Sequence, residues 1–261
     1  MTATTYAKKA FLALGLPLIL LAAWWIASAG STNPFWPSLQ TILQTFPETW
    51  TPERLAADLV PSLARLGIGF SLAVVGGIVG GTAIGLSPTL RALSEPVLEF
   101  FRAVPPPVLV PIIALFAGYT GWLGKIVTIA LGCLWPILLN TVEGVRGLEP
   151  TLTDTAKSYR LSWWRRLLFV VLPGASPRIF TGARQALSIG VILMVISELF
   201  GANRGLGASI VQFQRSFAIP QMWTGIILLG LIGVLLAAIF KVVETRMLAW
   251  YMGQRQIERG E

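Results

Sequence analysis

Long stretches of this chain carry no charged side chain, and this feature limits its fold more than any other. Only 12% of its 261 residues are charged, whereas 54% are hydrophobic. Soluble domains usually contain about 25% charged residues. Uncharged segments of about 20 residues are long enough to cross the hydrocarbon core of a bilayer as helices. The composition therefore predicts an all-α integral membrane protein in contact with lipid.

The formal net charge of +8 is also typical of proteins that bind nucleic acid. Here the basic residues lie between hydrophobic runs instead of forming a patch on a soluble fold, so we expect no nucleic-acid partner. The sequence contains no His, and Cys133 is its single Cys. These counts exclude disulfide frameworks, the common His- or Cys-based metal sites, and catalysis by a His base.

Six apolar segments predict six transmembrane helices. Arg65 and Arg91 bracket 25 uncharged residues, and Arg102 and Lys125 bracket 22. The predicted spans are approximately Phe11–Ala29, Leu66–Leu86, Val104–Tyr119, Ile126–Val142, Gln185–Phe200 and Met222–Val243. The remaining predicted segments are a cytoplasmic N-terminus (1–10), an extracytoplasmic loop (30–65), a long loop within the core 66–243 (149–184) and a cytoplasmic C-terminal tail (244–261).

The distribution of Lys and Arg predicts the orientation, because these residues are enriched in cytoplasmic loops. With six spans, 15 of the 20 basic residues fall on one side of the membrane. The five on the other side are Arg54, Arg65, Lys125, Arg204 and Arg215. We therefore expect both termini and the loop 149–184 to be cytoplasmic.

The first span also has features of a signal peptide. Lys8 and Lys9 precede an apolar run that ends at Ala27–Ser28–Ala29. Against cleavage, the apolar run is long, and the bulky Trp24 and Trp25 lie just before the candidate site. We expect a retained helix.

The second span carries a small residue at every fourth position. These residues are Gly69, Ala73, Gly77, Gly81 and Gly85. On a helix they share one face and let a neighbouring helix approach closely. Both a sliding helix contact and ordinary close packing fit this pattern.

The start of the third span is rich in proline. Pro105, Pro106 and Pro111 lack backbone donors, and non-helical backbone within a membrane must be sheltered in protein or line a cavity. Broken spans are often found where membrane proteins bind or conduct a solute. A tight turn at the membrane surface fits the segment equally well.

Glu198 is the one acidic residue within a predicted span. An ionised group at that depth needs a partner, for which Arg204 on the following loop is a candidate. Alternatively, Glu198 lies at the level of the headgroups and orients that loop.

The segment 149–184 is long for a loop and is amphipathic. A helix is predicted from about Thr153, with an N-cap at Thr151 or Thr153. Apolar residues share one predicted face of this helix at Leu161, Trp164 and Leu168. The residues predicted to end the helix are Leu172–Pro173–Gly174. From these residues alone, docking on a protein partner and burial in anionic headgroups are both open.

The segment from Asp154 to Pro173 resembles the EAA loop of ABC-importer permeases. That pattern reads Glu-Ala-Ala, three residues, Gly, nine residues, Ile, any residue, Leu-Pro. The positions that align with it are Asp154, Thr155, Ala156, Arg160, Val170, Leu172 and Pro173. Arg160 replaces the turn-forming Gly of the family, and an Arg adopts a left-handed conformation only at a cost.

The resemblance extends from about Leu59 to Lys241. Segments similar to the nitrate/sulfonate/taurine branch are 61–65, 101–106, 136–141 and 198–207. The resemblance implies a type I ABC-importer arrangement in which two permease copies form the pathway. It also implies an extracytoplasmic binding protein and a cytoplasmic ATPase dimer on which the EAA loop docks.

Particular residues take roles by this resemblance. The residues expected to couple to the ATPase are Asp154, Thr155, Ala156, Arg160, Leu161, Trp164, Leu172 and Pro173. Candidates for the pathway or its gate are Arg102, Pro105, Pro106, Pro111, Asn140 and Glu198. Arg102 is explained equally well as an anchor on the cytoplasmic side. The implied mechanism is alternating access, in which ATP binding opens the pathway outward and hydrolysis resets it inward.

The chain itself contains no Walker-type Gly-x-x-x-x-Gly-Lys-Ser/Thr sequence. We therefore expect a non-catalytic subunit that binds no cofactor, with ATP and Mg used by the partner ATPase. The expected substrate is a small anion such as nitrate, a sulfonate or taurine.

Two other classes of protein fit the sequence less well. An ion-coupled secondary carrier is disfavoured because the spans contain few ionisable residues and no detectable inverted repeat. An intramembrane enzyme is disfavoured because the spans contain no credible nucleophile–base pair.

Overall fold

A computed structural model describes residues 3–251 and 253, with side chains from Gly15 onward. This part of the chain is helical and contains no strand, which confirms the predicted all-α class. Its helices are α1 (Ala3–Ser28), α2 (Leu39–Thr49), α3 (Pro52–Leu86), α4 (Pro88–Ala103), α5 (Leu109–Ala117), α6 (Trp122–Arg146), α7 (Pro150–Ser158), α8 (Trp163–Arg166), α9 (Leu172–Leu199), α10 (Leu206–Arg215) and α11 (Ile219–Met247).

Helices α3, α6 and α9 form the centre of the molecule. Their buried side chains include Leu66, Ile129 and Leu193. Helix α6 runs parallel to α3, because Gly69 faces Ile129 and Gly85 faces Val145. It runs antiparallel to α9, because Gly132 faces Leu193 whereas Gly144 faces Ala175. The starts of α3 and α6 and the end of α9 therefore share one end of the molecule, called here the Glu198 end; the opposite end is called the Arg160 end.

Within the described part of the chain, four helical segments are long and apolar enough to span a membrane. They are Pro52–Leu86, Trp122–Arg146, Trp163–Leu199 and Ile219–Met247. They correspond to predicted spans two, four, five and six. Helix α1 contributes a shorter apolar stretch, Gly15–Ser28. The predicted loop 30–65 contains α2 and the first turns of α3, so helix occupies much of it.

The third predicted span, Val104–Tyr119, is not one continuous helix. Helix α4 ends at Ala103, a 3₁₀ turn covers Pro106–Val108, and α5 has only nine residues. At about 1.5 Å per residue, nine residues cannot cross a hydrocarbon core about 30 Å thick. Instead, Pro88–Ala103 and Pro106–Ala117 form a pair of helices bent by 86°. Because α3 and α6 are parallel, this bent pair carries the chain back from the Arg160 end to the Glu198 end.

Proline explains the break between α4 and α5. Pro105, Pro106 and Pro107 have no backbone N–H, so a continuing helix would lack three successive donors. Pro105 is extended, with φ −62° and ψ 122°, and the short 3₁₀ turn follows it. The Pro-rich segment therefore produces irregular backbone, as its composition predicts.

The helix in the segment 149–184 begins earlier than predicted. Helix α7 starts at Pro150 with Glu149 as the residue before it, not at Thr151 or Thr153. Proline is favoured at the first helical position because its missing N–H has no partner there in any case. The hydroxyl of Thr151 instead hydrogen-bonds to the Glu149 carboxylate at 3.4 Å.

Two further predictions about this segment are wrong. Helix α7 ends at Ser158 and α8 begins at Trp163, so Leu161 does not share a helix with Trp164 and Leu168. The predicted stop at Leu172–Pro173–Gly174 is also absent, because Trp163–Leu199 is one continuous helical segment. A π-helical turn over Leu167–Val171 precedes Pro173. This wider turn lets the helix continue although Pro173 has no backbone N–H to donate.

The small residues of α3 pack against β-branched residues of α6. A Cβ atom added at Gly77 would lie 2.7 Å from Ile137, and one added at Gly81 would lie 2.6 Å from Thr141. Gly69, Ala73 and Gly85 are buried as well. The predicted stripe is therefore a close helix–helix contact in which β-branched side chains fill the space that the small residues leave.

Candidate functional site

A polar cavity of about 500 Å³ lies between α4, α6 and α9, towards the Arg160 end. Three predicted pathway residues line it: Arg102, Pro106 and Asn140. Its other polar lining residues are Arg91, Glu95, Glu99, Glu143, Arg146 and Gln185. Pro105 and Pro111 are not part of the lining. The structure thus brings half of the predicted pathway residues together around one space.

The cavity contains charges of both signs in equal number, three Arg and three Glu. Arg102 lies 3.6 Å from Glu99, and Glu143 lies 3.6 Å from Arg178. The Asn140 amide donates to the Pro136 carbonyl at 2.8 Å and to Gln185 Oε1 at 3.4 Å. This lining suits a hydrated, polar solute, and Arg102 does not make it electropositive.

Aromatic stacking holds one wall of the cavity. The rings of Phe101 and Trp135 stack with centroids 4.3 Å apart and an interplanar angle of 9°. Pro106 approaches Gly132 on α6, where an added Cβ would lie 3.4 Å from its ring. Val104 and Pro106 of the irregular segment between α4 and α5 thus border the cavity, whereas Pro105 is exposed.

Glu198 lies outside this cavity, buried at the opposite end of the molecule with 1% of its surface exposed. Arg65 Nη1 donates to its Oε1 at 2.7 Å, and the backbone N–H of Gly207 donates to its Oε2 at 3.0 Å. The Ser62 hydroxyl lies 2.7 Å from Oε1. The prediction that the Arg204 side chain pairs with Glu198 is wrong. Only the Arg204 backbone carbonyl belongs to this network, and it accepts a hydrogen bond from Arg65 at 3.0 Å.

A second carboxylate extends this buried network. Asp58 accepts from the Ser209 hydroxyl at 2.6 Å and from the Gly205 backbone N–H at 3.3 Å, and Arg54 lies 3.6 Å away. Since Asp58 is on α3 and Ser209 is on α10, the network ties α10 to the start of α3. The two carboxylates position the loop 200–205, which joins α9 to α10.

Arg65, Ser62, Asp58 and Ser209 were not predicted as site residues. The available signal was the segment 61–65, which resembles the permease family, together with an Arg at the start of an apolar span. Arg65 and Glu198 are 133 positions apart, and local sequence patterns cannot predict an ion pair between residues so distant in the chain.

The exposed turn between α7 and α8 contains two of the residues predicted to couple to an ATPase, Arg160 and Leu161. Arg160 has φ 52°, the left-handed conformation that the family's Gly adopts easily. The Arg160 N–H donates to the Lys157 carbonyl at 2.8 Å, and the Leu161 N–H donates to the Ala156 carbonyl at 3.1 Å. This is the Schellman pattern that ends helices, so the turn is tight despite the arginine.

The side chains around this turn, which we call the Arg160 turn (residues 156–164), differ in exposure. Trp163 and Trp164 are 60% and 63% exposed, with ring centroids 4.6 Å apart in an edge-to-face contact. Ala156 is buried. Among the other predicted coupling residues, Asp154, Thr155, Arg160 and Leu161 are exposed, whereas Leu172 and Pro173 are half-buried. Large aromatic rings this exposed are typical of surfaces that meet a protein or a membrane.

Residues 73–249 match the model of a known family, the binding-protein-dependent transport system inner membrane component. The chain belongs to this family of ABC-importer permeases. The match covers α6, the Arg160 turn, α9 and α11, and the part of α3 from Ala73 onward. The permease is accordingly a multi-pass membrane protein and a transport subunit.

Individual relatives cover most of the permease. It is 32% identical to the taurine transport system permease protein of Escherichia coli (strain K12), over 94% of this chain and 91% of that protein. It is 30% identical to the putative aliphatic sulfonates transport permease protein of Bacillus subtilis (strain 168), over 90% of this chain and 86% of that protein.

A solved structure shares the fold of the permease. A chain of the MetNI methionine ABC transporter in an inward-facing conformation superposes with a TM-score of 0.62 at 19% identity. The superposition covers 74% of the permease and 93% of that chain. The fold is thus that of an ABC transporter permease, as the resemblance implied.

Proposed function

We propose that two copies of this permease form the pathway of an ATP-driven importer for a small organic or inorganic anion. The Arg160 turn docks on a cytoplasmic ATPase subunit, and an extracytoplasmic binding protein delivers the substrate at the Glu198 end. The observation that carries this proposal is the exposed Arg160 turn, with Trp163 and Trp164, at the same end as the polar cavity.

The proposed orientation follows from the basic residues. Arg146, Lys157, Arg165 and Arg166 lie at the Arg160 end, in or beside the cytoplasmic segment that the positive-inside rule predicts. We therefore propose that both termini are cytoplasmic.

The geometry of the Arg160 turn supports a role in coupling. A Schellman turn with two hydrogen bonds is rigid, and α8 continues without interruption through the π-helical turn into α9. A push on Trp163 or Trp164 is therefore transmitted to α9, whose Gln185 and Ile189 line the polar cavity. ATP and Mg act in the partner subunit. This chain supplies the pathway and the continuous helix from α8 to α9 that transmits the motion.

The substrate class is proposed from the relatives. One is a permease for taurine and another a putative permease for aliphatic sulfonates. Both kinds of molecule carry a sulfonate group, so a small solute with an anionic oxygen-rich group is the proposed cargo.

An ion-coupled carrier fits the structure less well. Such a carrier needs an ionisable group that gains and loses its ion during transport. Glu198, the one acidic residue within a predicted span, is held by Arg65, Ser62 and Gly207. A carboxylate fixed by an arginine is suited to holding the structure together.

The proposal is tested by reconstituting the permease with its ATPase and binding protein in proteoliposomes. Uptake of labelled taurine or another sulfonate should require ATP on the side of the membrane that carries the ATPase. Uptake should stop when a non-hydrolysable analogue replaces the ATP. Uptake that continues without ATP, driven by an ion gradient, would show a secondary carrier.

A further inference from the structure

A second, smaller cavity opens at the Glu198 end, well separated from the polar cavity at the Arg160 end. Its volume is about 410 Å³, and its lining residues are Pro61, Arg65, Thr120, Trp122, Asn203 and Arg204. We propose that Arg65 and Arg204 bind a small oxoanion in this cavity, which we call the Arg65 cavity. This inference rests on the proposed function, because it assigns an entry site for the anionic substrate.

The guanidinium of Arg65 has one edge in use and one edge without a hydrogen-bond partner among the described residues. Its side-chain hydrogen bonds to described residues come from Nη1, to Glu198 Oε1 at 2.7 Å and to the Arg204 carbonyl at 3.0 Å. Among the described residues, Nε has no hydrogen-bond partner although it is buried. The Nε and Nη2 hydrogens lie side by side on the opposite edge, the fork that binds two oxygens of one anion. A buried donor without a partner is costly, so a ligand there removes a penalty as well as adding contacts.

Arg65 is held in position before any anion arrives. Its side chain is 5% exposed, and the ion pair with Glu198 fixes one edge. The Trp122 ring covers its guanidinium carbon, 4.9 Å from the ring centroid. Because the side chain is already ordered, binding costs little further side-chain entropy.

The charges around the cavity leave an excess of positive charge. Glu198 is matched by Arg65, and Asp58 lies 3.6 Å from Arg54. Lys125, which is 2% exposed, donates to the carbonyls of Tyr119 and Gly121 at 2.7 and 3.2 Å. Among the described residues Lys125 has no carboxylate partner. Together with Arg204, it makes this end of the molecule favourable for an anion.

The shape of the cavity selects a small ligand. Arg65 lies below the surface, whereas Asn203, Arg204 and Thr120 are exposed around it. Asn203 and Thr120 add neutral hydrogen-bond donors around the two arginines. A sulfonate, nitrate or bicarbonate presents two or three oxygens to such a fork. A carboxylate on the surface of a docked protein reaches Arg204 more easily than the recessed edge of Arg65.

The test uses the assembled transporter in lipid nanodiscs, without the binding protein and without ATP. Methanesulfonate is titrated and its heat of binding is measured, with methylammonium as a cationic control. We expect saturable binding of methanesulfonate that weakens roughly tenfold or more in Arg65→Lys and in Arg204→Gln, because each loses charged hydrogen bonds. Arg65→Lys keeps the positive charge opposite Glu198 but lacks the fork.

A matched control and an independent variant keep the test decisive. Arg215→Gln removes a positive charge from the same end outside the cavity and should bind normally. If Arg65→Lys fails to fold, Arg204→Gln and Thr120→Val, both at exposed positions, carry the comparison. No saturable binding by the unmodified transporter would overturn the inference, as would equal binding by Arg204→Gln and the unmodified protein.

Two further results separate this inference from the proposed function. ATP-dependent sulfonate uptake with no binding in nanodiscs would overturn the Arg65 cavity alone. Binding that depends on Arg65 and Arg204, without any ATP-dependent uptake, would support the cavity and contradict the importer. Slower uptake by Arg204→Gln with unchanged methanesulfonate binding would show contact with the binding protein, and would also overturn the anion site.

Discussion

Arg65 and Glu198 form a buried ion pair, with Arg65 Nη1 2.7 Å from Glu198 Oε1 and their side chains 5% and 0% exposed. The two residues join the first half of α3 to the end of α9. Ser62, Asp58 and Ser209 complete the network around the pair. This network fixes the loop 200–205 and α10 at the end of the molecule where we place substrate entry.

Removing Glu198 should strongly destabilise the permease. Glu198→Ala leaves Arg65 charged and buried without its partner, and breaking such a pair costs about 3–5 kcal/mol. Denaturation in mixed micelles measures the change in free energy of unfolding. Glu99→Ala is the control, because the Arg102–Glu99 pair is exposed and contributes about 0–1 kcal/mol. Equal, small losses in both variants would contradict the structural role of the network.

Gly205→Ala should destabilise the same region for a different reason. Gly205 has φ 138°, and a Cβ there would lie 2.5 Å from Glu198 Oε2. No side-chain rotation of the alanine relieves that contact, and residues other than Gly rarely adopt this conformation. Gly230→Ala on α11 is the control, since nothing lies within 4 Å of its added Cβ. We expect the control to gain up to about 1 kcal/mol from helix propensity and Gly205→Ala to lose thermal stability.

The contact between α3 and α6 predicts a position-dependent effect along a single helix. In Gly81→Ala the new Cβ would lie 2.6 Å from Thr141 and 2.7 Å from the Leu138 carbonyl, so the two helices must separate. In Gly67→Ala the Cβ meets nothing within 4 Å. Cysteine cross-linking between the two helices and thermal unfolding both report the separation. Identical stability of the two variants would show that close packing here is unimportant.

Arg160→Gly should stabilise the Arg160 turn. Arg160 adopts φ 52°, and a left-handed conformation costs a residue other than Gly about 1 kcal/mol or more. Hydrogen exchange at the Leu161 amide, which donates to Ala156, should slow in Arg160→Gly. Lys157→Gly, within α7, should accelerate it, because Gly is unfavourable inside a helix. Faster exchange in Arg160→Gly would mean that the arginine side chain itself holds the turn.

Several parts of this fold follow directly from the residues. Uncharged runs predict α3, α6, α9 and α11, because burial in lipid demands length and low charge. Consecutive prolines after Val104 predict the irregular backbone between α4 and α5. The small residues of α3 predict a close helix contact, which α6 supplies.

Other parts depend on tertiary contacts and are not visible in local patterns. The bend of 86° gives a broken crossing where hydropathy alone suggests a straight helix. Helix continues through Leu172–Pro173 because the π-helical turn before Pro173 tolerates the absence of the backbone N–H at that proline. The partner of Glu198 is on α3, far away in sequence, and not on the adjacent loop.

Coupling of this permease to an ATPase through the Arg160 turn is measured as the substrate taken up per ATP hydrolysed. ATP hydrolysis and substrate uptake are measured together in proteoliposomes for Leu161→Arg and Asp154→Arg, with Lys241→Glu as a charge-changing control away from the turn. We predict that uptake per ATP hydrolysed falls at least tenfold in the first two variants and is unchanged in the control. Normal uptake per ATP in both turn variants, with the ATPase still bound, would contradict the claim.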